Sequence, residues 1–150
     1  AENVALPIQD ATTLSEERIS EIVAMKLASV GLQTFEAFLP AEISGGMKKR
    51  AGIARAMALD PEILFFDEPS AGLDPISSAA LDKLIRELNT AMGTTMIVVT
   101  HELQSIADIA DEVIMLDKSA RGIIARGTLA EVKAITDDKR VYNFFNRIVE

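Results

Sequence analysis

The apolar positions of this 150-residue chain change rhythm near residue 62. Before that point they recur at helical spacing: Ile19, Ile22, Val23, Leu27 and Val30 fall three or four residues apart, the period of a helix with one buried face. Thr13 with Glu16 reads as the capping box of this helix and Gly31 as its C-cap, the polar and glycine chemistry that satisfies helix ends. A short apolar piece, Phe35, Phe38 and Leu39, stops at Pro40. The next helix is expected to start at Ser44, with Met47, Ala51, Ala54 and Ala58 along one face and Lys48, Lys49, Arg50 and Arg55 on a solvated one.

From Glu62 onward, short apolar runs alternate with helical periods, the sequence sign of βαβ units and a parallel sheet. Residues 62–66, 95–100 and 112–116 predict strands that are apolar without alternation, as expected where helices cover both faces. Asp74-Pro75 opens the helix between the first two, with an acid at the N-cap and proline in the first turn. Leu81, Leu84, Ile85, Leu88 and Met92 then point inward until Gly93 closes it. A second crossover helix, 103–110, joins the next pair of strands. Asp117 to Arg121 turns the chain, Gly122 to Ala125 returns it as an edge strand, and Thr128 with Glu131 caps a further helix. Val141, Phe144, Phe145 and Ile148 mark a terminal amphipathic helix. The expected fold class is α/β: a helical part, then a mostly parallel sheet with flanking helices and a C-terminal helix.

Composition narrows the chemistry. At 49% hydrophobic and 25% charged residues, the chain has the profile of a globular fold that buries its own core. It contains no cysteine, which removes thiolate zinc sites, iron–sulfur clusters and thiol nucleophiles from consideration. Fifteen Lys and Arg against 23 Asp and Glu leave a net charge of −8, a poor match to a nucleic-acid backbone. No run approaches the ~20 apolar residues of a membrane-spanning helix, so a soluble chain is expected. The sequence opens at Ala1 without a methionine or a signal-type apolar segment, which reads as a cut.

In an open parallel sheet, ligands gather at the carboxyl ends of the strands. Asp67 and Glu68 follow the first apolar run, and Thr100 and His101 follow the second. One carboxylate of such a pair can hold Mg²⁺ while the other polarises a water; an acidic turn is the plainer reading of the pair alone. Ser44-Gly45-Gly46 has two readings as well. It is a serine cap followed by two permissive residues, or a helix start whose open amides face a phosphate.

Order and spacing decide more than any single motif. Ile43-Ser44-Gly45-Gly46-Met47, then Arg50 and Arg55, Phe66-Asp67-Glu68-Pro69-Ser70, Ala71-Gly72-Leu73-Asp74-Pro75 and Val99-Thr100-His101-Glu102 together closely resemble the ATP-binding-cassette (ABC) ATPases over nearly the whole chain. The resemblance implies ATP and Mg²⁺ as cofactors. It makes Ser44, Gly45, Gly46 and Met47 the signature motif, which contacts the γ-phosphate of ATP held by a second copy of the subunit. It makes Asp67 the Walker B acid that holds Mg²⁺, Glu68 the general base, Asp74 the D-loop acid that communicates across the dimer, and His101 the switch histidine that senses the γ-phosphate. Ile43 and Met47 depart from the family's commonest leucine and glutamine, so the serine and the backbone would carry the phosphate contact.

The family's phosphate-binding loop, GxxxxGK[ST], does not occur: none of the eight glycines precedes a lysine. Its glutamine loop and adenine-stacking aromatic also lie upstream of the signature. The resemblance therefore implies the C-terminal part of a cassette, with residues 1–58 as the helical signature subdomain and 59–150 as the end of the RecA-like ATPase core, inactive by itself.

Within the family, the Ser-Gly-Gly-Met motif, the run from Phe66 to Ile76 and the tail from Asp138 to Phe145 are similar to the toluene-tolerance or lipid-asymmetry (Mla) branch. That branch implies an ATPase subunit on the cytoplasmic face of the bacterial inner membrane. It would dock on permease subunits, work with an Mce-type lipid-binding protein, bind no nucleic acid, and power transport of phospholipid or other hydrophobic solutes. Two other classes stay open. One is the C-terminal lobe of a chromosome-maintenance or repair ATPase, although residues 1–43 lack the heptads of its coiled coil. The other is a receiver-like signalling domain, which Thr100 and Lys118 fit superficially but which leaves the Ser-Gly-Gly segment unexplained.

Overall fold

A computed structural model describes residues 1–149. The chain divides by packing into two compact units, residues 1–99 and 100–150, a different basis from the motif-based division expected at residue 58.

The first unit begins with three helices that pack against one another, α1 (Glu2–Ala11), α2 (Glu16–Ser29) and α3 (Gly45–Ala56). The sequence periodicity did not predict α1, which contains Pro7 and buries Val4 and Ile8. The cap of α2 is Ser15, whose hydroxyl accepts the Arg18 amide at 3.4 Å, and not the expected Thr13. A Schellman motif closes α2. Leu32 N–H donates to Leu27 O at 2.8 Å and Gly31 N–H to Ala28 O at 3.0 Å, with Gly31 at φ +74°. The apolar piece before Pro40 forms turns that lead into a 3₁₀ segment, Pro40–Glu42.

Next come β1 (Ile63–Asp67), α4 (Pro75–Met92) and β2 (Thr95–Val99), a βαβ unit whose strands pair in parallel and in register from Ile63↔Thr95 to Asp67↔Val99. Asp74 caps α4, Gly93 ends it at φ +65°, and Leu81, Leu84, Ile85 and Leu88 are buried along it. The strands depart from expectation in their faces. Leu64 and Phe66 are buried, but Ile63, Phe65, Ile97 and Val99 are exposed, Phe65 at 72%. Unbroken apolar sequence predicts cover on both faces, yet the described residues cover only one.

The second unit holds α5 (Leu103–Ile109), β3 (Val113–Asp117), β4 (Gly122–Gly127), α6 (Leu129–Lys133) and α7 (Lys139–Asn146). The predicted strand over 112–116 does not extend the parallel pair. It pairs antiparallel with β4, the return strand expected after the turn at Asp117 to Arg121, through a bulge at Met115/Leu116, and the short connection costs little loop entropy. Asp117 fixes that turn by accepting the Ala120 amide at 2.9 Å and the Ser119 hydroxyl. Thr128 and Glu131 form the expected capping box on α6. Ala125, Val132 and Val141 are the buried centre, with Val113, Met115, Ile124, Ile135 and Phe145 packed around them.

Candidate functional site

The site in the first unit is built where β1 ends and α3 begins. Asp67 is the last residue of β1 and lies exposed on the same face as Phe65 and Val99. Its carboxylate engages no hydrogen-bond or ion-pair partner among the described residues. A lone carboxylate at a strand end suits Mg²⁺, which takes one or two protein carboxylates and fills the rest of its octahedron with phosphate and water. An all-protein cage is not offered: no group of three acidic or histidine side chains able to hold a metal occurs among the described residues.

Glu68 leaves the strand in a left-handed conformation, φ +45°. For a residue other than glycine this costs about 1–3 kcal/mol and persists only where the surroundings over-determine it. Here the Glu68 amide donates to Val99 O at 2.9 Å, and its carbonyl accepts the Ala71 amide at 3.1 Å. The loop that follows is anchored inward by buried Pro69 and Ser70 and turns at Gly72, φ +78°. It ends at Asp74, whose carboxylate accepts the Ile76 and Ser77 amides, both at 3.0 Å. Its hydrogen bonds, those from Ser77 foremost, hold the Asp74 carboxyl below its usual value.

Ser44 is the N-cap of α3, and its hydroxyl accepts the Met47 amide at 3.3 Å. The Gly45 and Gly46 amides belong to the first turn, whose N–H groups have no intrahelical acceptor. A Cβ added at Gly45 would stand 3.8 Å from Leu73 Cδ2, so the helix start lies against the loop between Glu68 and Asp74. The structure thus brings Ser44–Met47 and the Asp67–Asp74 segment together within one unit.

The basic run beside them is not the uniform solvated face expected. Lys48 is exposed, whereas Lys49 and Arg50 are half-buried; Lys49 donates to Glu68 O at 3.4 Å and Arg50 to Val30 O at 3.3 Å. The lysine contact spans 19 residues of sequence and leaves no local signal to read.

His101 belongs to the second unit. It is exposed, and with Glu102, Leu103, Gln104, Phe144 and Arg147 it lines an open cavity of about 400 Å³. Arg147 ends α7 in a left-handed conformation, φ +55°. Thr100 supports the segment by accepting the Glu102 amide on its hydroxyl at 3.1 Å.

A family model described as ABC transporter matches residues 3–71. The intermembrane phospholipid transport system ATP-binding protein MlaF of Haemophilus influenzae is 45% identical over 143 residues, which are 95% of this chain and 53% of that protein. Among solved structures, cbiO1 of Clostridium perfringens, part of the ABC transporter complex cbiONQ, superposes with a TM-score of 0.78 at 29% identity, covering 93% of this chain and 55% of that one. The ATP-binding cassette MJ0796, in a dimeric post-hydrolysis state with ADP and Pi, gives 0.70 at 29% identity, over 85% of this chain and 55% of that one. The chain spans about half the length of the curated relatives it matches.

Proposed function

This chain belongs to the ATP-binding-cassette ATPases, with the α/β fold of that family, and from that premise we propose that it supplies the signature, Walker B, D-loop and switch segments of a subunit that hydrolyses ATP to drive phospholipid or hydrophobic-solute transport. The observation that carries the reading is the placement of Asp67 and Glu68 at the carboxyl end of β1, with the Ser44 helix start against the loop they open. The likeness to MlaF supports the transport branch, and the likeness to a dimeric cassette supports a second copy of the subunit as partner.

In this reading Asp67 is the protein ligand of Mg²⁺, which supplies charge neutralisation at the phosphates. Glu68 accepts the proton of the attacking water. Ser44 and the amides of Gly45, Gly46 and Met47 present donors to the γ-phosphate bound on the partner copy, where the helix dipole favours an anion. Asp74 holds the D-loop in shape, and His101 senses the γ-phosphate. Residues 1–58 form the signature subdomain and 59–150 belong to the ATPase core. The subunit sits peripherally on the cytoplasmic face of the inner membrane, against permease subunits and an Mce-type lipid-binding protein. None of the described helices is long and apolar enough to cross the membrane.

Three measurements test this. In the full-length protein, Glu68→Gln lowers kcat for ATP by on the order of 10²–10⁴-fold, the usual worth of a general base, and unchanged turnover refutes the assignment. A polypeptide of these 150 residues alone, lacking GxxxxGK[ST], shows no Glu68-dependent turnover. For the branch, phospholipid stimulates ATP hydrolysis by the reconstituted transporter; indifference to lipid counts against it.

A further inference from the structure

Helix α3 meets the loop after β1 where Gly45 lies against Leu73 and where Lys49 reaches Glu68. The second contact falls on a residue whose backbone needs restraint. Glu68 is held left-handed at φ +45°, and its peptide groups are bound from three directions. Its amide is taken by Val99 O at 2.9 Å, its carbonyl by the Ala71 amide at 3.1 Å, and the same carbonyl by Lys49 Nζ at 3.4 Å. The first two restraints come from the neighbouring strand and from the loop itself. The third comes from the helix that Ser44 caps, through the Lys49 side chain. An ammonium on a carbonyl that already accepts one amide completes its two lone pairs, and partial burial spares the contact from full solvent competition.

We propose that Lys49 is a positioning residue: it fixes the left-handed Glu68 peptide, hence the direction of the Glu68 carboxylate, and makes that carboxylate follow the helix that carries Ser44–Met47. The inference rests on the reading of Glu68 as general base and Ser44–Met47 as a phosphate contact. It gives the basic run a division of labour, since Lys48 is exposed and Arg50 is spent on Val30.

The test uses the full-length ATPase with Lys49→Met, Lys49→Arg and, as control, the exposed neighbour Lys48→Met. Lys49→Met lowers kcat by on the order of ten- to a hundredfold, the effect of misplacing a reacting group by about 1 Å, with KM for ATP held. Lys49→Arg, which keeps a donor, restores most of the rate, and Lys48→Met matches wild type. An unchanged kcat in Lys49→Met, or a rise in KM alone, overturns the proposal, because either would mean that Lys49 does not act on the chemical step. A thermal-unfolding cycle reads the clamp without turnover. Glycine adopts φ > 0 freely and has no strain to release when the clamp is lost, so Lys49→Met lowers Tm more in a Glu68→Gly background than in wild type; an equal or smaller loss in the glycine background overturns the clamp. Should Glu68→Gln leave turnover intact, the general-base reading fails while the cycle still judges Lys49.

Discussion

Asp74 grips Ser77 through both donors that the serine offers: Oδ1 accepts its amide at 3.0 Å and Oδ2 its hydroxyl at 2.5 Å. With the Ile76 amide also on Oδ1, the carboxylate is committed to starting α4. Asp74→Ala is therefore expected to lower Tm and α4 helicity, while Asp74→Asn, which keeps an acceptor at the cap, loses less. The folded state lowers the Asp74 carboxyl below its ordinary 3.8, chiefly through the Ser77 hydroxyl. The stabilisation is accordingly full above the unfolded value and fades as pH falls below it. Circular dichroism melts at pH 7 and pH 3 check both points, and a Ser77→Ala variant should flatten the difference.

A stronger acid dependence belongs to the second unit. Arg140 binds Asp138 through Nη2 at 2.6 Å and Nε at 3.0 Å, and reaches Asp117 through Nη1 at 2.9 Å. The Arg140 guanidinium holds the Asp138 carboxyl down at about 2. Because the folded value lies below the unfolded one, this link is intact above pH ~4 and is lost as pH drops from about 4 toward 2. Carboxyl NMR titration should place Asp138 near 2, and Arg140→Ala should return Asp138 toward its ordinary value, while Asp117, held down chiefly by the Ser119 hydroxyl and the Ala120 amide, should stay low.

Phe65 and Phe66 are neighbours with opposite fates, 72% and 8% exposed. In a polypeptide of these 150 residues, Phe66→Ala is expected to cost about 3–5 kcal/mol, as large core truncations do. Phe65→Ser should cost far less and should reduce concentration-dependent association in sedimentation, since it interrupts the apolar row of Ile63, Phe65, Ile97 and Val99. Equal destabilisation by the two changes would contradict the faces assigned to β1.

The Ser70 hydroxyl is buried and meets no hydrogen-bond partner among the described residues. Removing such a group relieves a desolvation penalty of about 1–3 kcal/mol, so Ser70→Ala should be neutral or stabilising in denaturant melts. A clear loss of stability would reveal a partner.

What could be read from the sequence was local chemistry. Asp74-Pro75, Gly93, Ser44 and the Thr128–Glu131 box mark helix ends through bonds made within a few residues, and each stands where expected. What could not be read depended on distant neighbours. Pro7 masked α1 because proline argues against a helix interior, yet α1 holds through burial of Val4 and Ile8. Thr13 and Ser15 both offer a capping hydroxyl, and only the chain's entry into α2 chooses between them. For the candidate site, the acid pair and the Ser-Gly-Gly segment were visible as motifs. Lys49 was not, since its role depends on a carbonyl 19 residues away that comes near only once α3 meets the loop.

The parallel pairing of β1 with β2 also orders events in time. A strand cannot reach a parallel partner until the whole crossover between them has been compacted, so this pairing carries a loop-closure penalty that the β3–β4 hairpin avoids. Helix α4 is that crossover, and Asp74 and Gly93 begin and end it with purely local bonds. The cap that closes the loop after β1 in the finished molecule is thus expected to act first as a pacemaker of folding. Refolding should slow in Asp74→Ala more than unfolding quickens, whereas cutting Leu64 on β1 should mainly hasten unfolding.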